Sequence, residues 1–410
     1  MKVNPYISSS MSAPLSGTEN HVGNQAVEED VKNLDQALSL LESDPSCNAD
    51  LKTLSDTVNN QRSALSLMSS RNAEVDIANS LQDSIDDYAK ELELIGMWVE
   101  GGKGGFYVAL DKIANSLFSQ GQLSPKYEDL FQVALIDVLI NAADYGLESD
   151  ANFMQYLSWC IEYIGTGQHN TWIDDLPNPP DMTENVLNNG ILNGNLKKIA
   201  ENVWSTIYGK IASGDIPTSS LAYRAMLQAS GGSTISSGLP SALQYSLDKN
   251  NYFDANSGGW ITTTNNDMSP MMRLMLLTQA LGDGDLSKVE LETILIGNLK
   301  DINDLTTKRF NKHPYEYILA KDQAWKDSEH TNASGGASTP TGVDITLDYS
   351  GRLNEQYLTS LYQNHPSRVL GDEEITDINR IGDTVKMIQQ TLKYWIQIMR
   401  DERMAIARNI

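Results

Sequence analysis

The C-terminal stretch from Glu373 to Ile410 contains no proline and a single glycine, Gly382. Along it Ile381, Val385, Ile388, Leu392, Trp395 and Met399 recur at alternating intervals of four and three. That is the seam of a helix laid along another helix. Asp372, Glu373 and Glu374 stand at its start and Arg400, Arg403 and Arg408 toward its end, the polarity that a helix macrodipole favours. Such a helix is about 50 Å long at roughly 1.5 Å per residue, and an apolar stripe of that length is not stable alone in water. The chain must supply a partner.

The chain carries one near its other end. Val27, Val31, Leu34, Leu38 and Leu41 predict a first helix over 27–43, stopped by Asp44-Pro45. A long helix is then expected from about Asp50 to Val99. Its second half sets Leu81, Ile85, Leu92 and Ile95 on a heptad, as the counterpart of the C-terminal seam. Between Asn72 and Leu81 the spacing tightens, which predicts a local bend or overwinding. Helices over 351–410 are expected to pack on 50–99, the last of them either as the antiparallel partner of the long helix or joined with other helices in a bundle.

Gly101-Gly102-Lys103-Gly104-Gly105 ends the long helix and opens a helical middle domain, 101–350. Helices are predicted over 106–119, 125–145, 150–164, 183–213, 217–229, 240–248, 269–281, 287–309 and 314–326. The run from Leu130 to Ile140 is apolar nearly all round, so it is expected to form the centre of the core. Gly-, Pro- and Ser-rich stretches at 165–183, 230–240 and 327–343 read as loops. Gly259 to Thr264 is the one strand-like run, one arm of a small hairpin near 251–264. The expected fold class is all-α: long N-terminal and C-terminal coiled-coil-type helices packed around a helical middle domain.

Composition excludes several functions. The chain of 410 residues carries 54 acidic against 30 basic side chains, a formal charge of −24. Nucleic acid and anionic membranes require a basic footprint, so neither is an expected partner. No run approaches the roughly 18 apolar residues of a transmembrane helix. Cys47 and Cys160 are too few for a disulfide framework, leaving free thiols or a single bridge.

Candidate chemistry is sparse. Gly282-Asp283-Gly284-Asp285 suggests a calcium loop, but Lys288 and Ile294 stand where the loop needs Gly and Glu. Ser287 with Glu290 reads better as a capping box. Gly96 to Gly104 lacks the strand and the Ser or Thr of a phosphate loop, and reads as a flexible interhelical turn. The histidines, His21, His169, His313, His330 and His365, are scattered without zinc spacing. Asp144, Glu148 and Asp150, or Asp174, Asp175 and Asp181, could pair as acids, yet such clusters are mostly solvated surface in so acidic a chain. No catalytic residue, cofactor or metal is expected. Trp98, Trp159, Trp204 and Trp395 belong to helical patterns and to the core, whereas Trp172 and Trp260 are candidate exposed anchors for a partner.

Residues 1–30 hold one lysine, no apolar core and many Ser, Asn, Thr and Gly, a disordered polar leader with no secretory signal peptide. With the acidic composition, the N-terminal helical hairpin over 31–100 and the terminal helix, it resembles a type III secretion substrate. Hydrophilic translocators and needle-tip proteins of that pathway pair helices from near both termini around a central domain. The segment Ile381–Ile410 (IGDTVKMIQQTLKYWIQIMRDERMAIARNI) resembles the ends of a chlamydial effector family of helical proteins, a similarity confined to this segment. The resemblance implies a protein held in the bacterial cytoplasm before export and then secreted. It would act by binding proteins (a secretion chaperone, host or apparatus proteins) rather than by catalysis. The alternative is a tip or scaffold component that self-associates through its terminal helices.

Overall fold

The computed structural model describes residues 19–42, 50–68, 75–119, 127–165, 192–247, 268–327, 347–350 and 353–409. The fold is all-α: fifteen helices are described, with one two-stranded ladder. The chain divides into two compact units. Met1–Gly96 with Asp372–Ile410 form a terminal unit, and Met97–Gly371 form a central one.

The terminal unit contains α1 (Glu19–Leu40), α2 (Leu51–Ser66), the first part of α3 (Val75–Glu100) and α15 (Asp372–Asn409). The single helix expected over 50–99 is two helices. Residues 69–74, which separate them, adjoin the Asn72–Leu81 spacing slip and lie outside the described residues. This changes the partner of α15, whose principal neighbours are α1 and α2 rather than α3. Gln389 Nε2 donates to Leu41 O at 2.9 Å, Arg400 Nε lies 2.6 Å from Asp35 Oδ1, and Arg403 Nε lies 3.7 Å from Asp30 Oδ2. Rising numbers on α15 meet falling numbers on α1, so that pair is antiparallel. Leu54 of α2 faces Gly382, and Gln61 Nε2 donates to Val385 O at 2.8 Å, so α2 runs parallel to α15.

The expected leader over 1–30 overlaps this unit. The first helix starts at Glu19, and Val27 is buried while Asp30 pairs with Arg403, so the segment from Glu19 to Asp30 belongs to a helix of the fold. Residues 1–18 lie outside the described residues. Asp50, expected to begin a helix, caps it: Thr53 N donates to Asp50 Oδ1 at 2.8 Å.

In the central unit α4 (Gly102–Ser119), α5 (Tyr127–Ile140), α6 (Ala151–Tyr163), α7 (Leu192–Ser213), α8 (Leu221–Ala229) and α9 (Ser241–Ser246) precede α10 (Pro270–Asp283), α11 (Lys288–Ile296), α12 (Leu299–Phe310) and α13 (Pro314–Lys321). Strands β1 (Trp325–Asp327) and β2 (Leu347–Tyr349) pair antiparallel, with Trp325 opposite Tyr349, and α14 (Glu355–Gln363) follows. Helix α5 is the centre, as its composition predicts: every residue from Asp129 to Ile140 is buried. It is packed by α4, α6, α8, α9, α10 and α14. Polar side chains on such a helix survive only by meeting backbone groups at the ends of its neighbours. Gln132 shows how: its Nε2 donates to Ile161 O and Ile164 O at the end of α6, and its Oε1 accepts from Met271 N at the start of α10.

Three further expectations change. The helix predicted over 287–309 breaks at Gly297, where Asn298 starts α12 by accepting from Asp301 N at 2.9 Å. The helix predicted over 314–326 stops at Lys321, and Trp325 enters the ladder with its indole on Tyr357 OH at 2.8 Å. Residues 351–371 belong to the central unit, where α14 lies against α4, α5 and α6, because buried Glu162 of α6 accepts from Tyr349 N and Leu353 N. The hairpin expected near 251–264 lies outside the described residues, as do 166–191 and 328–346.

Candidate functional site

Two places qualify: the seam of α15 in the terminal unit and a cleft in the central unit. Of the seam residues, Ile381, Val385, Ile388, Leu392 and Met399 are buried, and Trp395 is half-buried. The residue after it, Ile396, is fully buried, and Ile378, Gln389 and Arg403 are buried too. Positions 378, 381, 385, 388, 389, 392, 396, 399 and 403 therefore make the buried band, with half-buried Gly382 at its edge. The seam read from apolar residues alone misses part of this band, because Gln389 and Arg403 do not announce themselves as core. Gln389 holds its place through the Leu41 carbonyl, and half-buried Gly382 admits the close approach of Leu54. On α3, Ile85 and Leu92 are buried, whereas Leu81 and Ile95 are half-buried. Trp172 and Trp260, the expected exposed anchors, lie outside the described residues.

The glycine run at the head of α4 is pinned, not flexible. Gly101 has φ +74°, and a Cβ there would lie 2.6 Å from Ser367 N and 2.7 Å from His365 O. Only glycine accepts both the conformation and the approach. Gly102 N donates to His365 O at 2.7 Å, Arg368 N donates to Val99 O at 3.1 Å, and the Arg368 guanidinium lies 5.5 Å from the centre of the Trp98 ring. Trp98, expected in the core, is half-buried and packs against it. His365 is buried against Phe106, edge to face. The Thr278 hydroxyl donates to Leu274 O, so it accepts from His365 Nδ1 at 2.8 Å, which places the imidazole proton on Nδ1. Burial pushes this imidazole down to about 4.

The cleft, of about 800 Å³, is lined by side chains from three segments. Lys103, Gly104 and Tyr107 come from the first turns of α4. Asn141, Asp144 and Tyr145 follow α5. Gly214, Asp215, Ser219 and Ser220 precede α8. Beneath it lies Asp137, an acid within the apolar run of α5 and fully buried. Asp137 Oδ2 accepts from Ala222 N at 2.9 Å and from Tyr145 OH at 3.1 Å, and Oδ1 accepts from Asn141 Nδ2 at 3.1 Å. Burial raises its carboxyl to about 6, against the lowering by these three donors and by the Lys103 charge. Tyr107 is pushed up to about 12, by burial first and then by Asp137 and Asp111, and Tyr145 is raised for the same leading reason. At neutral pH the two phenols are neutral donors.

Asp137 ties α5 to the start of α8 and to the turn that carries Asn141 and Tyr145, so it positions the cleft wall rather than facing it. The acid cluster considered from sequence disperses: Asp144, Glu148 and Asp150 are exposed, and Asp150 caps α6 by accepting from Phe153 N. Asp174, Asp175 and Asp181 lie outside the described residues, with His169 and His330. Ser287 and Glu290 form the expected capping box. Cys160 is a buried thiol, its pKa raised by that burial, and Cys47 lies outside the described residues. Among the described residues no helix is long and apolar enough to cross a membrane. No protein-family model matches the chain, and neither does any curated protein or solved structure.

Proposed function

We propose that this chain is an exported bacterial protein of the type III class that acts by binding other proteins and carries out no catalysis of its own. The observation that carries the reading is the division of labour around α15. Its inner face, from Ile378 to Arg403, is filled within the chain by α1 and α2. Its outer face exposes Met387 at 60% and Tyr394 at 64%. Met and Tyr are adaptable contact residues, Met387 through a flexible thioether that fits varied surfaces and Tyr394 through a large amphipathic ring. The three donors that Asp137 meets on its own and neighbouring turns support a positioning role for that acid rather than an acid–base one. The polar leader supports export, with a secretion chaperone, host proteins or apparatus proteins as partners.

The test of export is a fusion of residues 1–30 to a reporter enzyme. The fusion is expected in the medium of a type III-competent strain and not of one lacking the apparatus. Retention in both strains refutes the reading. The second reading is a structural component that self-associates through its terminal helices. Because the inner seam is already occupied, that reading depends on the outer face of α15.

A further inference from the structure

Outward from the buried band, α15 presents one residue every seventh position: Glu373, Arg380, Met387, Tyr394, Asp401 and Arg408. All six are exposed. In order they read negative, positive, apolar, aromatic, negative, positive. Read backwards, the series is positive, negative, aromatic, apolar, positive, negative. The face is its own complement. Two copies laid antiparallel would set Glu373 against Arg408, Arg380 against Asp401 and Met387 against Tyr394, each pairing occurring twice. Gln390, Thr391 and Gln397, which stand beside the central residues, carry no charge.

We propose that the outer face of α15 is a docking surface for α15 of a second copy of this chain, antiparallel about a two-fold axis between Gln390 and Thr391. A two-fold interface requires a patch that is complementary to itself, a requirement this face meets, and a reversible pairing leaves the face open to other protein partners once the copies separate. The same charges oppose a parallel pairing, in which each charged residue would meet its own copy. Met387 and Tyr394 supply the desolvated centre, and the flanking charges fix direction and register more than they add affinity. The weak pair of Arg380 with Asp377, at 3.5 Å and with the arginine side chain 76% exposed, is no obstacle to exchange. The surface exists whether or not the chain is exported.

Sedimentation velocity of the full-length chain, across low to high micromolar concentration, tests this. A reversible dimer is expected, weakening as salt rises. Tyr394→Glu is expected to weaken it by about a hundredfold, since the change acts twice across the axis. Arg380→Asp and Asp401→Arg are each expected to weaken it by about tenfold, and the double variant R380D/D401R to restore it. These sites are exposed, so far-UV circular dichroism should match the parent. A monomer at every concentration overturns the proposal. So does a dimer indifferent to Tyr394→Glu. Single charge reversals that strengthen the dimer, or a double variant that fails to recover, overturn the antiparallel register and with it the proposal.

Discussion

His365 and Asp137 are buried in the same unit and titrate with opposite effect on stability. His365 has a folded pKa of about 4 against 6.5 for the free side chain. Between those values the unfolded chain binds a proton that the folded chain does not, so stability rises with pH. The window is about 2.5 pH units, worth about 3 kcal/mol at roughly 1.4 kcal/mol per unit. Asp137 goes the other way, with a folded value of about 6 against 3.8. Between those values the folded chain keeps a proton that the unfolded chain has released, so stability falls as pH rises, again by about 3 kcal/mol. The two nearly cancel from pH 4 to pH 6. Removing either one should expose the other. Asp137→Asn should lose stability at every pH, because one amide oxygen cannot serve three donors. Its stability should then climb by about 3 kcal/mol, relative to the parent's profile, as pH rises from 4 to 6.5. His365→Asn keeps a donor near the Nδ1 position, and its profile should fall by a similar amount over the same range. Urea unfolding followed by tryptophan fluorescence, at several pH values for parent and variants, measures this. Background carboxylates are common to all three and drop out of the differences. If both variants parallel the parent between pH 4 and pH 6.5, the burial argument for these groups is wrong.

Gly101→Ala should destabilise the central unit by about 3 kcal/mol, combining left-handed strain with a steric overlap against the 365–367 backbone, and thermal unfolding would show it as a lowered Tm. Leu392→Asp puts a carboxylate where the side chain is fully buried, and should cost more than about 3 kcal/mol, seen as lost helicity, whereas Tyr394→Ser two residues on should stay within about 0.5 kcal/mol. Equal effects of these two would refute the assignment of inner and outer faces. Ser287→Ala should cost about 1 kcal/mol through the lost capping box, read from a chemical denaturation midpoint, and Ser287→Gly less.

Much of the helical layout was legible because helix formation is local. The Ser287–Glu290 box, the all-round apolar run of α5 and the heptad of α15 each depend on residues within a few turns. Breaks were harder to see. The 287–309 segment keeps a helical pattern across Gly297, and only the neighbouring Asn298 hinted that a new helix starts there. The candidate sites were less legible still. Asp137 stood in plain view as the acid in an apolar stretch, yet its partners Ala222 and Tyr145 come from separate turns. His365, flanked by a proline, read as a loop histidine, because nothing nearby in sequence announces Thr278 or Phe106.

Taken alone, the sequence determined that this chain would be all-α, that α5 would be buried, and that its long terminal helix needed a companion. Periodicity decides those matters, since a 3.6-residue repeat and a cap act over distances the chain itself spans. Tertiary structure decided which companion it was. With α1 antiparallel and α2 parallel to it, α15 buries both flanks of its seam, so Gln389 and Arg403 join the core and Trp395 moves to the edge. A helix with two neighbours selects residues by the space and the carbonyl groups those neighbours offer, and that information lies hundreds of residues away.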